Sequence, residues 1–212
     1  MRLIICKNYD EVSQKAADII AAKILLKPNC ILGMATGSTP IGTYEKLTAK
    51  GLDFSKVTTF NLDEYYPIKP DNDQSYYYFM NEHLYSKVNL KPENIHIPSG
   101  AAENPDAECK AYDAMIEKKG GIDLQLLGIG QNGHIGFNEP GETLFAETHM
   151  TGLTQNTIEA NSRFFEKIED VPTKALTMGM ASIMKAKTVL LLATGKAKAP
   201  AIKTLMSNKI DP

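Results

Sequence analysis

Ile122-Asp123-Leu124-Gln125-Leu126-Leu127 runs directly into Gly128-Ile129-Gly130-Gln131-Asn132-Gly133-His134-Ile135-Gly136-Phe137-Asn138-Glu139-Pro140-Gly141. The first six residues read as a buried strand. The loop after it holds five glycines, an amide, a histidine and a carboxylate. Such a loop places polar side chains at the carboxyl end of a strand, the edge where open α/β sheets bind ligands. Glycine loses more backbone freedom on folding than any other residue, so this density is poor packing material. It suits close approach of backbone to a ligand, with His134 and Glu139 held beside it.

Strands and helices alternate outward from that loop. Leu3–Cys6 reads as a first strand, and Glu11–Leu26 as a helix with Asp10 as N-cap. Cys30–Ala35 is a strand, and Ile41–Ala49 a helix with Pro40 just inside its start. Val57–Leu62 is a strand and Ser75–Tyr85 a helix. Asn94–Ile97 is a short strand, and Asn104-Pro105 opens a helix reaching Lys118. Ala175–Met178 and Thr188–Ala193 are later strands, and Lys198–Ser207 is a last helix. This pattern predicts an α/β fold: a single-domain, open, mainly parallel, Rossmann-like sheet over residues 1–212, with helices on both faces. The polar stretch 142–170 has weak periodicity and reads as a strand excursion or a lid.

Composition narrows the function. The chain has 212 residues and a net charge of -2, which leaves no electrostatic footprint for nucleic acid. Cys6, Cys30 and Cys109 are scattered and odd in number, which fits a reducing cytoplasm and not a disulfide framework. No CxxC or HExxH spacing signals a metal, and no apolar run approaches the ~20 residues of a membrane span. The expectation is a cytoplasmic protein with no metal, organic cofactor, nucleic acid or membrane partner.

Four constellations carry chemistry. Thr36, Gly37, Ser38 and Thr39 lie between a strand and a helix start, where backbone N–H groups and hydroxyls suit an anion. They equally suit an ordinary capped turn. The loop lacks Gly-Lys-Ser/Thr, so it is not a triphosphate P-loop. Asp63 and Glu64 follow a buried strand, and alternation sends them to opposite faces. His134 can exchange a proton near neutral pH, with Glu139 to orient it. Arg163, Lys196 and Lys198 are cations, the lysines at another strand-to-helix junction. Together they suit proton transfer on a small phosphorylated metabolite.

Gly128-Ile129-Gly130…Gly133-His134-Ile135-Gly136-Phe137-Asn138-Glu139-Pro140 resembles the signature of the glucosamine-6-phosphate deaminase family. Ala35–Pro40, Phe60–Tyr65, Ser75-Tyr76-Tyr77, Ala160–Phe165 and Gly195–Ala199 resemble further blocks in family order, so the resemblance spans almost the whole chain. It implies conversion of glucosamine 6-phosphate and water to fructose 6-phosphate and ammonia, without metal or cofactor. It implies Asp63 as the base that moves a proton between C2 and C1. His134 would be the ring-opening acid/base, Glu139 its partner, and Asn132 a sugar ligand where some relatives carry aspartate. Thr36, Gly37, Ser38, Thr39, Arg163 and Lys198 would hold the phosphate.

Allosteric members resemble the chain poorly at 146–152. Their activator-binding basic residues appear here as His149 and Thr151, so no activation by N-acetylglucosamine 6-phosphate is expected. The chain ends at Asp211-Pro212, where relatives usually continue, and with the altered activator segment this leans towards a monomer. The rivals are a 6-phosphogluconolactonase-like hydrolase, which needs no Asp63-type base, and a non-catalytic sugar-phosphate sensor. The sensor is expected to carry a DNA-binding helix-turn-helix ahead of a first strand with which this chain already begins.

Overall fold

The computed structural model describes residues 1–155, 158–159, 167 and 171–207. Among these, the elements are α1 (Tyr9–Leu26), β1 (Ile31–Met34), α2 (Ser38–Thr48), β2 (Thr58–Asn61), β3 (Asp63–Tyr66) and α3 (Tyr76–His83). They continue with β4 (Ile95–His96), α4 (Pro105–Lys118), β5 (Leu124–Leu127), β6 (His149–Gly152), β7 (Lys174–Thr177), α5 (Met180–Met184), β8 (Val189–Leu191) and α6 (Ala199–Leu205).

The main sheet has order β4-β2-β1-β5-β8 with every pairing parallel. Every residue of β1, β2 and β5 is buried, so both faces of the central strands are covered. That is the condition under which parallel sheets occur. Helix starts follow local rules. Asn8 Oδ1 accepts from Glu11 N–H, the Ser75 hydroxyl from Tyr78 N–H, and Asn104 Oδ1 from Ala107 N–H. Asn8, and not Asp10, is therefore the cap of α1.

Three expectations need correction. Leu3–Cys6 forms no strand: Leu3, Ile4 and Ile5 are 56, 44 and 85% exposed, and an apolar run without a ladder partner cannot become one. The strand from Val57 does not end at Leu62. Leu62 donates to Met34 of the main sheet and accepts from Met178 N–H, and the chain continues as β3 in a second, antiparallel sheet, β3-β7-β6. The strand near Ala175 belongs to that sheet, antiparallel to both neighbours. β6 makes the 142–170 stretch partly a strand excursion.

Asp123, 2% exposed, clamps the sheet's far end. It accepts from Lys27 Nζ (2.7 Å), Lys187 Nζ (2.8 Å) and Ile31 N–H (2.9 Å). Burial pushes its pKa up, but the bonds from Lys187, Lys27 and Ile31 outweigh it and hold the carboxyl at about 2. A depressed acid contributes stability that is full above its unfolded pKa of ~4 and lost as pH falls towards 2. Asp123→Asn should therefore cost about 1–3 kcal/mol in urea unfolding at pH 7, and the gap from wild type should close near pH 2.

Candidate active site

β7 sets the geometry of the site, because it grips both the acid strand and the histidine loop. Asp63 pairs with Thr177 across the small sheet. The Thr177 hydroxyl accepts from Phe137 N–H (3.1 Å), and Asn138 Nδ2 donates to the Met178 carbonyl (3.0 Å). Within the loop, Gly130 N–H donates to the His134 carbonyl (2.8 Å), and Ile135 and Asn138 form an antiparallel bridge. The result is a tight, internally bonded turn.

Its glycines have specific duties. A Cβ on Gly130 would lie 2.5 Å from Cγ and Cε1 of His134, so the imidazole rests on bare backbone. Gly136 has φ +61°, and a Cβ there would come within 2.9 Å of Thr177 Oγ1 and 3.2 Å of Asp63 Oδ2. These two glycines let His134 and Asp63 pack against the loop. The expected role of admitting a ligand to the backbone falls instead to Gly128, whose Cβ would meet nothing within 4 Å and which lines the cavity.

His134 Nδ1 lies 3.5 Å from Glu139 Oε1, an ion-pair distance too long for a good hydrogen bond. Asn132 Nδ2 donates to the other Glu139 oxygen at 2.6 Å, and Asn132 Oδ1 accepts from His134 N–H at 3.3 Å. Asn132 therefore bridges histidine backbone and carboxylate. Burial lowers the His134 pKa, Glu139 opposes this, and Lys198 lowers it further. The ring is thereby biased towards its neutral form, which can accept a proton.

Asp63 is 6% exposed. Burial, then the neighbouring Glu64, pushes its pKa up to about 8. This corrects the expectation of an ordinary carboxylate pKa, and with it of full ionisation at pH 7. Tyr65, Tyr76 and Phe137 form an aromatic group with centroids 4.8, 5.9 and 6.2 Å apart, apolar surface of the kind that disfavours charge.

Glu64 does not share the role of Asp63. It accepts from Tyr65, Tyr76 and Tyr77 N–H at 2.9, 2.8 and 3.0 Å, tying the start of α3 to β3. Burial raises its pKa to about 7 against those bonds. The alternation of strand side chains signals this division, but the role of Glu64 as anchor for α3 was not legible. Nor were the aromatic neighbours of Asp63.

The anion loop is braced from within. Gly37 is the N-cap of α2 at φ 110°, and no side chain caps that helix. Its first-turn N–H groups thus lack an intrahelical partner, the condition for anion binding. The Tyr44 hydroxyl donates to the Ala35 carbonyl (2.5 Å) behind it.

One cavity of about 680 Å³ collects these groups. Thr36, Gly37, Ser38, Thr39, Asp63, Asn132, His134, Glu139 and Lys198 all line it, with Gln74, Tyr65, Tyr76 and Phe137. Lys196 is not among the lining residues. Arg163, the other cation implied by the resemblance, lies outside the described residues. Chemically, the cavity offers a buried base, a histidine–carboxylate pair and an anion cradle with a cation.

Residues 7–212 match the family described as glucosamine-6-phosphate isomerases/6-phosphogluconolactonase. A glucosamine-6-phosphate deaminase of Clostridioides difficile is 55% identical over all of this chain and 87% of its own length. Its counterpart in Thermoanaerobacter pseudethanolicus is also 55% identical, over 99% and 85%. A solved structure of a monomeric glucosamine-6-phosphate deaminase superposes with a TM-score of 0.96 at 44% identity, covering 100% of this chain and 89% of that one. The 6-phosphogluconolactonase of Thermotoga maritima, at 22% identity and a TM-score of 0.76 over 98% of this chain and 89% of that one, shares the fold. With its parallel sheet, its histidine loop and these relatives, the chain belongs to the glucosamine-6-phosphate isomerase/6-phosphogluconolactonase family.

Proposed function

We propose that the chain is a glucosamine-6-phosphate deaminase in which Asp63 is the carbon acid–base. The observation that carries this reading is the buried Asp63 carboxylate in the same cavity as the His134–Glu139 pair. Lactone hydrolysis needs no base for a C–H bond, whereas isomerisation does. The relatives at 55% identity bear the deaminase name, and the lactonase likeness reaches only the fold.

The phosphate rests on residues 36–39 and Lys198, remote from the reacting carbons, and fixes their position. His134, oriented by Glu139 and Asn132, moves the proton that opens the pyranose ring. Asp63 takes the proton from C2, and the electrons form an enolamine. Return of a proton to C1 gives an imine at C2. Water adds there, ammonia leaves, and fructose 6-phosphate remains.

The test is ammonia release from glucosamine 6-phosphate, run beside hydrolysis of 6-phosphogluconolactone. Release with no lactone hydrolysis is the expected outcome, and the reverse would replace the deaminase reading with the lactonase one. The active species is a monomer, as that structural relative is named, so light scattering should give about 23 kDa. N-acetylglucosamine 6-phosphate should leave half-saturating substrate unchanged, because His149 and Thr151 stand in the activator segment. A several-fold fall on adding that sugar would defeat this. The protein works in the cytoplasm: Cys6, Cys30 and Cys109 are all free thiols, and no helix among the described residues is long and apolar enough to cross a membrane.

A further inference from the structure

The first turn of α2 is held from behind by a residue that the reaction does not touch. The Tyr9 hydroxyl donates to the Ser38 carbonyl at 3.0 Å and accepts from Gly42 N–H at 2.8 Å. Those two backbone groups are the i and i+4 partners of the turn, so the hydroxyl sits at the helix's first rung. A side chain placed at such a rung fixes the tilt of the turn.

The contact depends on glycine at 42. A Cβ there would lie 3.0 Å from Tyr9 Cε1, 3.1 Å from its hydroxyl and 2.6 Å from Ser13 Oγ. Tyr9 itself opens α1, whose start is fixed by the Asn8 cap and by an ion pair between Asp10 and Lys46 of α2 at 2.6 Å. Tyr9 does not line the cavity, whereas Gly37, Ser38, Thr39 and Pro40 do. The tyrosine therefore reaches the cradle through backbone alone.

We propose that Tyr9 is a positioning residue for the phosphate: its hydroxyl locks the first turn of α2 onto α1 and so aims the donors of Ser38 and Thr39. The inference rests on the phosphate reading above. The cradle holds the phosphate equally in ground and transition states, so loosening it weakens binding without slowing the chemistry.

Tyr9→Phe removes only the hydroxyl from a half-exposed ring. KM for glucosamine 6-phosphate should rise about 2- to 10-fold, the worth of one hydrogen bond, with kcat within about twofold. The dissociation constant for inorganic phosphate, followed by ³¹P NMR on the resting protein, should rise by the same factor. A purely structural role would lower the melting temperature and leave this split unmoved. Phosphate binding by wild type with an unchanged constant in a folded Tyr9→Phe overturns the proposal, as does a fall in kcat at constant KM. Wild type that binds no inorganic phosphate would remove the cradle reading itself, a separate failure.

Discussion

Asp63→Asn should lower ammonia release by about 10²–10⁴-fold, the usual contribution of one positioned acid–base. Asparagine keeps the shape of the side chain and cannot accept the C2 proton. The pH profile gives a second readout. With the pKa pushed up to about 8 by burial and by Glu64, the ionised base is the minor form at neutral pH. Wild-type kcat/KM should therefore climb about tenfold per pH unit below 8 and level off above it. A profile already flat from pH 6 would show that Asp63 is not the titrating base.

The same burial sets a stability cost with a definite sign. The folded pKa lies above the unfolded value near 4, so stability is greatest below that value. It declines as pH rises from about 4 to 8 and stays at its lower level beyond. Asp63→Asn has no charge to bury, so its melting temperature should exceed wild type at pH 9 and match it near pH 4. The variant thus separates the two consequences of one buried carboxylate: less activity, more alkaline stability.

Gly130→Ala should have the second large effect. The added methyl would occupy the space of the imidazole, 2.5 Å from two ring atoms. The ring must swing away, because the backbone is tied by the Gly130 N–H to His134 carbonyl bond. A shift of about 1 Å in a catalytic group can cost ~10²-fold, so kcat should fall by roughly that factor. Gly141→Ala is the control, since its Cβ would meet only the Thr143 carbonyl at 3.7 Å. Steady-state kinetics on both, with melting curves, decide the matter: wild-type kcat in a folded Gly130→Ala would mean that the ring does not depend on this contact.

Much of this was legible in residue order. The alternation of apolar runs with amphipathic stretches requires a parallel sheet, because each strand must be followed by a helix that returns the chain. Asn104-Pro105 opened a helix as its cap chemistry demands, and the glycine-dense loop after Leu127 stood at the ligand edge. Asp63, Asn132, His134 and Glu139, with the 36–39 loop and Lys198, were named from local patterns and family resemblance, and all of them meet in one cavity. These features depend on short-range rules: period, capping and turn chemistry.

Other features depend on which distant segments meet. Residue order did not show that Leu62 bonds two sheets at once, that Thr177 holds the histidine loop against Asp63, or that Leu3–Cys6 finds no strand partner. It did not show that Asp63 is buried with Glu64 at its back, and so suggested an ordinary carboxylate pKa. It suggested that the glycines wait for a ligand, whereas two of them make room for catalytic side chains. The physical reason is common to all. Hydrogen-bond partners, burial and the space beside a missing Cβ come from residues up to a hundred positions away, and only the packed chain brings them together.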